Sequence, residues 1–223
     1  MTAKLFVSAI AKFALDVALL GVLLFLPAGT LSWPQGRLLM GALFIPMFLA
    51  GLVMMARNPD LLRSRLNAKE KEREQSLVVK LSGLMFLVGF ILAGLSFRFG
   101  WWQLPKWVSI LGTALFLISY ALYAEVLREN TWLSRTIEVQ EGQTVVSTGL
   151  YGIVRHPMYA VTLVLFLSMP LVLGSGLAFV VFLAYPAIIA KRIRNEEAVL
   201  ARDLPGYTEY LKKVRWRLIP FVW

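Results

Sequence analysis

The residues best suited to chemistry lie near the C-terminal end of the chain, in two short polar motifs that flank a long apolar run. The first motif is Arg-His-Pro-Met-Tyr at 155–159. Proline is favoured in the first turn of a helix, because its missing N–H costs nothing there. A helix N-terminus presents free N–H donors and a partial positive charge, so this motif could hold a carboxylate or a ribose hydroxyl. Taken alone, it is equally typical of an interfacial anchor followed by a helix start.

The second motif is Lys-Arg-Ile-Arg-Asn-Glu-Glu at 191–197, where the apolar run ends. Arg192 and Glu196 are four residues apart, so they share one face of a helix. Ordinary snorkelling and pairing at a membrane surface is the alternative interpretation. A helix break follows at 204–207, and Tyr207 and Tyr210 then share a face that by default serves packing.

A metal site is not expected from this composition. His156 is the single histidine, and the chain has no cysteine. One histidine without a cluster of acidic residues cannot build a zinc or di-iron site. The lack of cysteine also excludes disulfides and a cysteine nucleophile.

The composition is that of a membrane protein. Hydrophobic residues make up 58% of the 223 residues and charged residues 16%, against about 45–50% and 25% in soluble domains. The net charge of +10 suits an anionic membrane surface. Nucleic-acid binding would need basic residues gathered on one soluble module, and the sequence contains no such module, so no nucleic-acid partner is expected.

Four uncharged stretches predict membrane spans, at 17–36, 38–56, 81–97 and 107–124. Each approaches the roughly 20 residues that cross a bilayer. The first span is expected to start near Leu5, as a retained span rather than a signal peptide, with Lys12 and Asp16 paired on one face. The uncharged run 158–190 is too long for one span and contains Pro170 and a Gly-Ser-Gly turn. It therefore predicts a helical hairpin with arms 158–173 and 176–192.

The distribution of basic residues predicts the orientation. They concentrate on one side, at Arg57, Arg63, Arg65, Lys69, Lys71, Arg73, Arg128, Arg135, Arg155, Lys212, Lys213, Arg215 and Arg217. The positive-inside rule then places both termini and the site in the cytoplasm. An aromatic belt is expected on the opposite side, formed by Trp33, Trp101, Trp102 and Trp107. Residues 137–147 are polar and β-prone and predict a cytoplasmic strand-and-turn loop.

Six features in a fixed order carry a resemblance to a known family. They are Gly-Leu-Tyr at 149–151, the first motif, the apolar hairpin, Arg192 with Glu196 and Glu197, Gly-Tyr-x-x-Tyr at 206–210, and Leu-Ile-Pro at 218–220. Residues 130–220 thereby resemble the isoprenylcysteine carboxyl methyltransferase family and its phospholipid methyltransferase relatives. The family often has Gly-Pro-Tyr where this chain has Gly-Leu-Tyr, so the turn here is less rigid.

The resemblance implies an S-adenosylmethionine-dependent methyltransferase in an all-α, polytopic transmembrane bundle. The uncharged stretches predict N-terminal transmembrane helices at 1–126. The resemblance implies a catalytic core at 127–223, in which the cofactor lies between a small cytoplasmic loop and the helix that leaves the membrane. The implied cofactor residues are Gln140, Gln143, Thr144, Val145, Val146, Tyr151, His156, Pro157, Met158, Tyr159 and Glu196.

The implied catalytic residues are Arg192, Glu197 and Arg155. Arg192 matches the arginine that faces the acceptor. A carboxylate acceptor needs no general base, whereas an amine or thiol would need one, and His156 or Glu197 are the candidates. The acceptor is expected to be lipophilic: a prenylcysteine-like carboxylate, a phospholipid amine or a small thiol.

Two other functions are compatible with the sequence. Membrane sterol reductases resemble this core but use NADPH, and they are usually longer with more spans. A non-enzymatic scaffold or small transporter is the other, although transporters usually carry repeated halves and mid-membrane charges.

Overall fold

The part of the chain that the structure describes forms a bundle of α-helices. The structure, a computed structural model, describes residues 3–57, 59, 62–63, 73–133 and 139–223. This described part contains eight α-helices and one 3-10 turn at Gly149–Gly152. The helices are α1 (Ala3–Ala28), α2 (Pro34–Arg57), α3 (Arg73–Phe99), α4 (Lys106–Glu129), α5 (Pro157–Val172), α6 (Gly176–Phe182), α7 (Tyr185–Asp203) and α8 (Tyr207–Lys213).

The predicted all-α membrane bundle of four spans and a hairpin is confirmed. Helices α1 to α4, and α6 with α7 taken together, are long and apolar enough to cross a membrane. Helix α5 is shorter, at 16 residues. Of the basic loops that predict the orientation, Arg65, Lys69, Lys71 and Arg135 lie outside the described residues.

Close helix contacts at small residues hold the bundle together. Helix α4 packs along α5, and a methyl group added at Gly112 would lie 2.7 Å from Leu171 Cβ. A methyl group at Gly89 would lie 2.4 Å from the Phe182 ring, which joins Phe86 and Phe90 in edge-on contacts. Small residues let helix backbones approach, which is how helices associate in a membrane.

The hairpin is confirmed, but its second arm is divided. The turn uses Gly174 at φ +69°, and the Ser175 side chain accepts a hydrogen bond from the backbone of Ala178 at 3.2 Å. Helix α6 then ends at Phe182 and α7 begins at Tyr185, extending to Asp203 beyond the predicted end at 192. Pro186 explains the break, because a proline has no N–H to bond the carbonyl four residues earlier.

The aromatic belt differs from the prediction at Trp33. Trp101, Trp102 and Trp107 are exposed, whereas Trp33 is fully buried. Its ring stacks on Phe97 at a centroid distance of 5.1 Å. Gly36 leaves room for it, since a methyl group there would meet the Trp33 ring. Trp33 is therefore a core residue between the first three helices.

The strand predicted at 137–147 is absent over the part that the structure describes. Residues 139–147 contain a turn instead, in which Gln143 N donates to Gln140 O at 3.0 Å; residues 137–138 lie outside the described residues. A strand needs a partner for its backbone groups, and this segment bonds within itself. The polar composition predicted the loop but not its conformation.

Candidate active site

A cleft lies where the loop before α5, the start of α5, the end of α7 and α8 come together. Its volume is about 90 Å³, below the roughly 300–1,000 Å³ of typical closed ligand pockets. Its walls are aromatic with a few charged groups. The lining residues are Asn130, Trp132, Leu133, Gln143, Thr144, Val145, Val146, Tyr151, Arg155, His156, Met158, Tyr159, Arg192, Glu196, Leu200, Leu204, Tyr207 and Tyr210.

The first motif is held as the N-terminus of α5. Pro157 occupies the first turn, and His156 is the N-cap residue with a non-helical backbone. The backbone N–H of Arg155 donates to Trp216 O at 2.8 Å, and that of His156 donates to Arg217 O at 2.9 Å. The C-terminal segment therefore satisfies donors that a helix start leaves without partners.

The Tyr159 hydroxyl joins the two motifs. It accepts a hydrogen bond from Arg192 Nε at 2.9 Å and donates one to a Glu196 carboxylate oxygen. The Arg192 guanidinium also lies 5.9 Å from the centre of the Tyr159 ring, and the His156 ring stacks against the Tyr159 ring at a centroid distance of 5.7 Å. The prediction that Arg192 and Glu196 share a helix face is confirmed, with Tyr159 as the bridge between them.

Glu197 points away from the cleft into a separate ion-pair cluster. One carboxylate oxygen lies 2.7 Å from Arg155 Nε and 3.3 Å from His156 Nε2, and the other accepts from Arg217 Nε at 2.7 Å. Glu197 is buried, so these partners offset the cost of removing a charge from water. The neighbouring carboxylates thus differ: Glu196 faces the cleft, whereas Glu197 supports its wall.

Two tyrosines of α8 close the cleft on the side of the tail. Tyr210 Oη donates to Tyr151 O at 2.7 Å, and the Tyr207 ring lies 5.6 Å from that of Tyr210. Burial raises the pKa of both hydroxyls, and the carboxylates nearby raise that of Tyr207 further. The Tyr207 hydroxyl is buried and has no hydrogen-bond partner among the residues described, so it is a donor available to a ligand.

The structure brings most of the predicted site residues together. The cleft is lined by Gln143, Thr144, Val145, Val146, Tyr151, His156, Met158, Tyr159 and Glu196 from the cofactor set, and by Arg155 and Arg192 from the catalytic set. Three predicted residues do not line it. Gln140 instead donates to Trp132 O at 2.7 Å, Pro157 is buried at the helix start, and Glu197 lies in the ion-pair cluster.

Several lining residues were not predicted. Leu200 and Leu204 follow Glu196 at four-residue intervals, so helical periodicity could have indicated that they share its face. Tyr207 and Tyr210 were assigned to packing. Asn130, Trp132 and Leu133, at the end of α4, carried no pattern that indicates a site.

A comparison with protein families supports one of the candidate classes. Residues 110–202 match the model of the isoprenylcysteine carboxyl methyltransferase (ICMT) family. The matched residues make up less than half of the chain, so the similarity to that family concerns the C-terminal core. The matched range contains every predicted site residue, both motifs and most of the hairpin. It stops before α8 and the C-terminal segment that closes the cleft.

Similar proteins come from several functional classes. The chain is 33% identical, over 132 residues, to the cobalt-zinc-cadmium resistance protein CzcN of Cupriavidus metallidurans, covering 57% of each chain. It is 27% identical over 136 residues to a Delta(14)-sterol reductase of Methylotuvimicrobium alcaliphilum, covering 54% of this chain and 32% of the reductase. The matches thus span 57% or less of these curated relatives.

The fold agrees with a solved structure of an ICMT enzyme. The eukaryotic intramembrane Ras methyltransferase ICMT matches 96% of this chain and 77% of its own, with a TM-score of 0.57 and 20% identity. At that identity the likeness concerns the fold. Within the part of the chain that the structure describes, no three His, Asp or Glu side chains gather in a way that could hold a metal ion.

Proposed function

We propose that this membrane protein transfers a methyl group from S-adenosylmethionine to a lipophilic acceptor. The observation that carries the proposal is the position of the Tyr159 bridge. It lies in the polar cleft, one helical turn before Thr162, which lines a large apolar cavity inside the bundle. One helix face thus connects a site suited to a polar cofactor with a site suited to a lipid.

The residues of the cleft fit S-adenosylmethionine. When bound, this cofactor supplies an electrophilic methyl group on a cationic sulfonium. Aromatic faces attract such a cation by about 0.5–2 kcal/mol, and Trp132, Tyr151 and Tyr159 line the cleft. Glu196 could accept from the cofactor amine or ribose, and the buried Tyr207 hydroxyl offers a donor that the described residues leave without a partner.

The apolar cavity fits the acceptor. It lies between α1, α2, α4 and α5 and has a volume of about 490 Å³, within the range of ligand sites. Tyr120, Tyr123, Thr162 and Phe166 line its inner wall. A hydrophobic acceptor that enters from the bilayer could therefore present its reactive end to the cleft.

The chain's own groups would act mainly by positioning and charge. Displacement at a sulfonium needs aligned reactants and a site that excludes water. Arg192 is fixed by Tyr159 and could orient an anionic acceptor through charge-assisted hydrogen bonds. For an amine or thiol, His156 lines the cleft and is placed to take a proton. Glu197 is a poorer base than expected, because its oxygens already contact three cationic or imidazole groups.

The orientation is part of the proposal. Basic residues concentrate on the side of the cleft, which supports placing the site and both termini in the cytoplasm. The cofactor would then arrive from the cytosol, whereas the acceptor would arrive through the bilayer. A reporter fused after Trp223, compared with one inserted at Gly100, would test this topology.

Calorimetric binding of S-adenosylhomocysteine to the detergent-purified protein is the decisive experiment. We expect micromolar binding, and its loss in the double variant H156A/E196A. A panel containing a farnesylcysteine carboxylate, phosphatidylethanolamine and a hydrophobic thiol would then identify the acceptor class by transfer of a labelled methyl group. Absence of binding to folded wild-type protein would contradict the proposal.

A membrane reductase is the second candidate, and the similarity to a Delta(14)-sterol reductase favours it. That relative is matched over 32% of its length, so most of it has no counterpart in the alignment. The same calorimetric experiment with NADPH separates the two functions. Binding of NADPH in preference to S-adenosylhomocysteine would support the reductase.

A further inference from the structure

The C-terminal segment lies directly against the first motif of the site. Arg155 N donates to Trp216 O at 2.8 Å and His156 N to Arg217 O at 2.9 Å. The Arg155 side chain also donates to Val214 O at 3.2 Å. Residues 214–217 therefore hold the backbone of the motif from outside the cleft, although the family match ends at residue 202.

The Arg217 side chain extends this contact to the ion-pair cluster. Its Nε donates to one Glu197 oxygen at 2.7 Å, and its guanidinium lies 5.3 Å from the centre of the Trp223 ring. The other Glu197 oxygen faces Arg155 Nε and His156 Nε2. Because Glu197 is buried, loss of a partner leaves a charge incompletely compensated.

We propose that Arg217 is a positioning residue for the cofactor cleft. It fixes one oxygen of Glu197, so that the other oxygen orients the His156 ring, which stacks against Tyr159. Arg217 does not line the cleft itself and acts through Glu197. The inference rests on the proposed function in one respect, which is that the cleft binds the cofactor.

The test compares three variants of the full chain in detergent. Arg217→Gln removes the charge, Arg217→Lys keeps it, and Arg215→Gln is the matched control, because Arg215 is exposed two residues away. We expect S-adenosylhomocysteine to bind R217Q about tenfold more weakly than wild type, within the range of coupling energies of residues in one network. R217K should recover most of the affinity, and R215Q should match wild type.

The single histidine provides a readout that does not depend on the cofactor. Labelled histidine gives one ring signal by NMR, and this signal should shift in R217Q, return toward its wild-type position in R217K, and stay unchanged in R215Q. If wild-type protein binds no S-adenosylhomocysteine, the proposed function fails, and the histidine signal alone decides whether Arg217 positions His156.

Other outcomes overturn the inference. The inference is wrong if R217Q binds S-adenosylhomocysteine as tightly as wild type. It is also wrong if R217K binds it as weakly as R217Q. If R217Q aggregates while R215Q does not, Trp223→Leu takes its place, because it removes the ring beside the guanidinium and leaves Arg217 present. Weaker binding by W223L then supports the inference, and unchanged binding contradicts it.

Discussion

The polar cleft and the apolar cavity lie on the same helix, α5, yet they are built in opposite ways. In the cleft, hydrogen bonds join the Tyr159 hydroxyl to Arg192 and Glu196. In the cavity, most lining residues are apolar and leave a space of about 490 Å³. Hydrogen bonds therefore fix the side-chain positions in the cleft, where a cofactor would bind, whereas few such bonds fix them in the cavity, where a lipid would bind. If the proposed function holds, this difference predicts strict cofactor choice and broad acceptor choice.

The largest expected effect comes from breaking the Tyr159 bridge. Tyr159→Phe removes one hydrogen bond to Arg192 and one to Glu196, and hydrogen bonds to charged groups are worth about 1.5–3 kcal/mol each. We expect S-adenosylhomocysteine affinity to fall about 100-fold, measured by calorimetry. Tyr185→Phe is the matched control, since that hydroxyl bonds Thr162 beside the cavity, and its affinity should stay near that of wild type.

A smaller, separate effect is expected from filling the cavity. Gly51 lines it, and a Cβ atom added there would meet no atom within 4 Å. Gly51→Phe should raise the KM for the acceptor about tenfold, because a pocket that loses space loses apolar contacts worth about 1–3 kcal/mol. Affinity for S-adenosylhomocysteine should not change.

Gly83→Phe serves as the control for that variant, because Gly83 also has open space around it but lies on α3 away from the cavity. Equal effects of the two substitutions on KM would show that the cavity is not the acceptor site. A loss of cofactor affinity in G51F alone would show that the two regions are not independent.

The smallest effect concerns the charged residues of the cavity wall. Lys12 and Asp16 line it, well inside α1, where ionisable groups are costly and usually functional. K12M/D16L removes both charges from the cavity wall, where the two side chains are exposed. It should lower transfer to a charged acceptor relative to a neutral thiol by about threefold, because exposed charges contribute roughly 1 kcal/mol or less. An unchanged ratio would assign the pair a structural role.

Sequence patterns predicted the membrane architecture well, because uncharged stretches of about 20 residues have few alternatives to spanning helices. The burial of Trp33 was not predicted, since an aromatic residue near the end of a span can either face lipid or pack inward. The break between α6 and α7 follows from Pro186. The sequence analysis did not predict this break, because Pro186 lies within a continuous apolar run.

The site was predicted unevenly for a related reason. Arg192 and Glu196 share a helix face, which local spacing indicates. Their bridge to Tyr159 joins residues more than thirty positions apart, and no sequence pattern predicted this contact. The resemblance had only assigned the three residues to the same site. The contact between Arg217 and Glu197 depends on how the segment after α8 folds back against α7. No rule of residue spacing predicts that fold.

The division of the second hairpin arm also bears on how the protein tolerates different membranes. Bilayers differ in thickness by several ångströms, and a rigid span responds by tilting. Here the first piece, α6, and the second piece, α7, are separate helices, and Arg192, Glu196 and Glu197 all lie on α7. A thicker or thinner bilayer could reorient α6 while the register of α7 against Tyr159 is kept. The break at Leu183 and Ala184 would thus keep the site residues of α7 in place when the thickness of the surrounding bilayer changes.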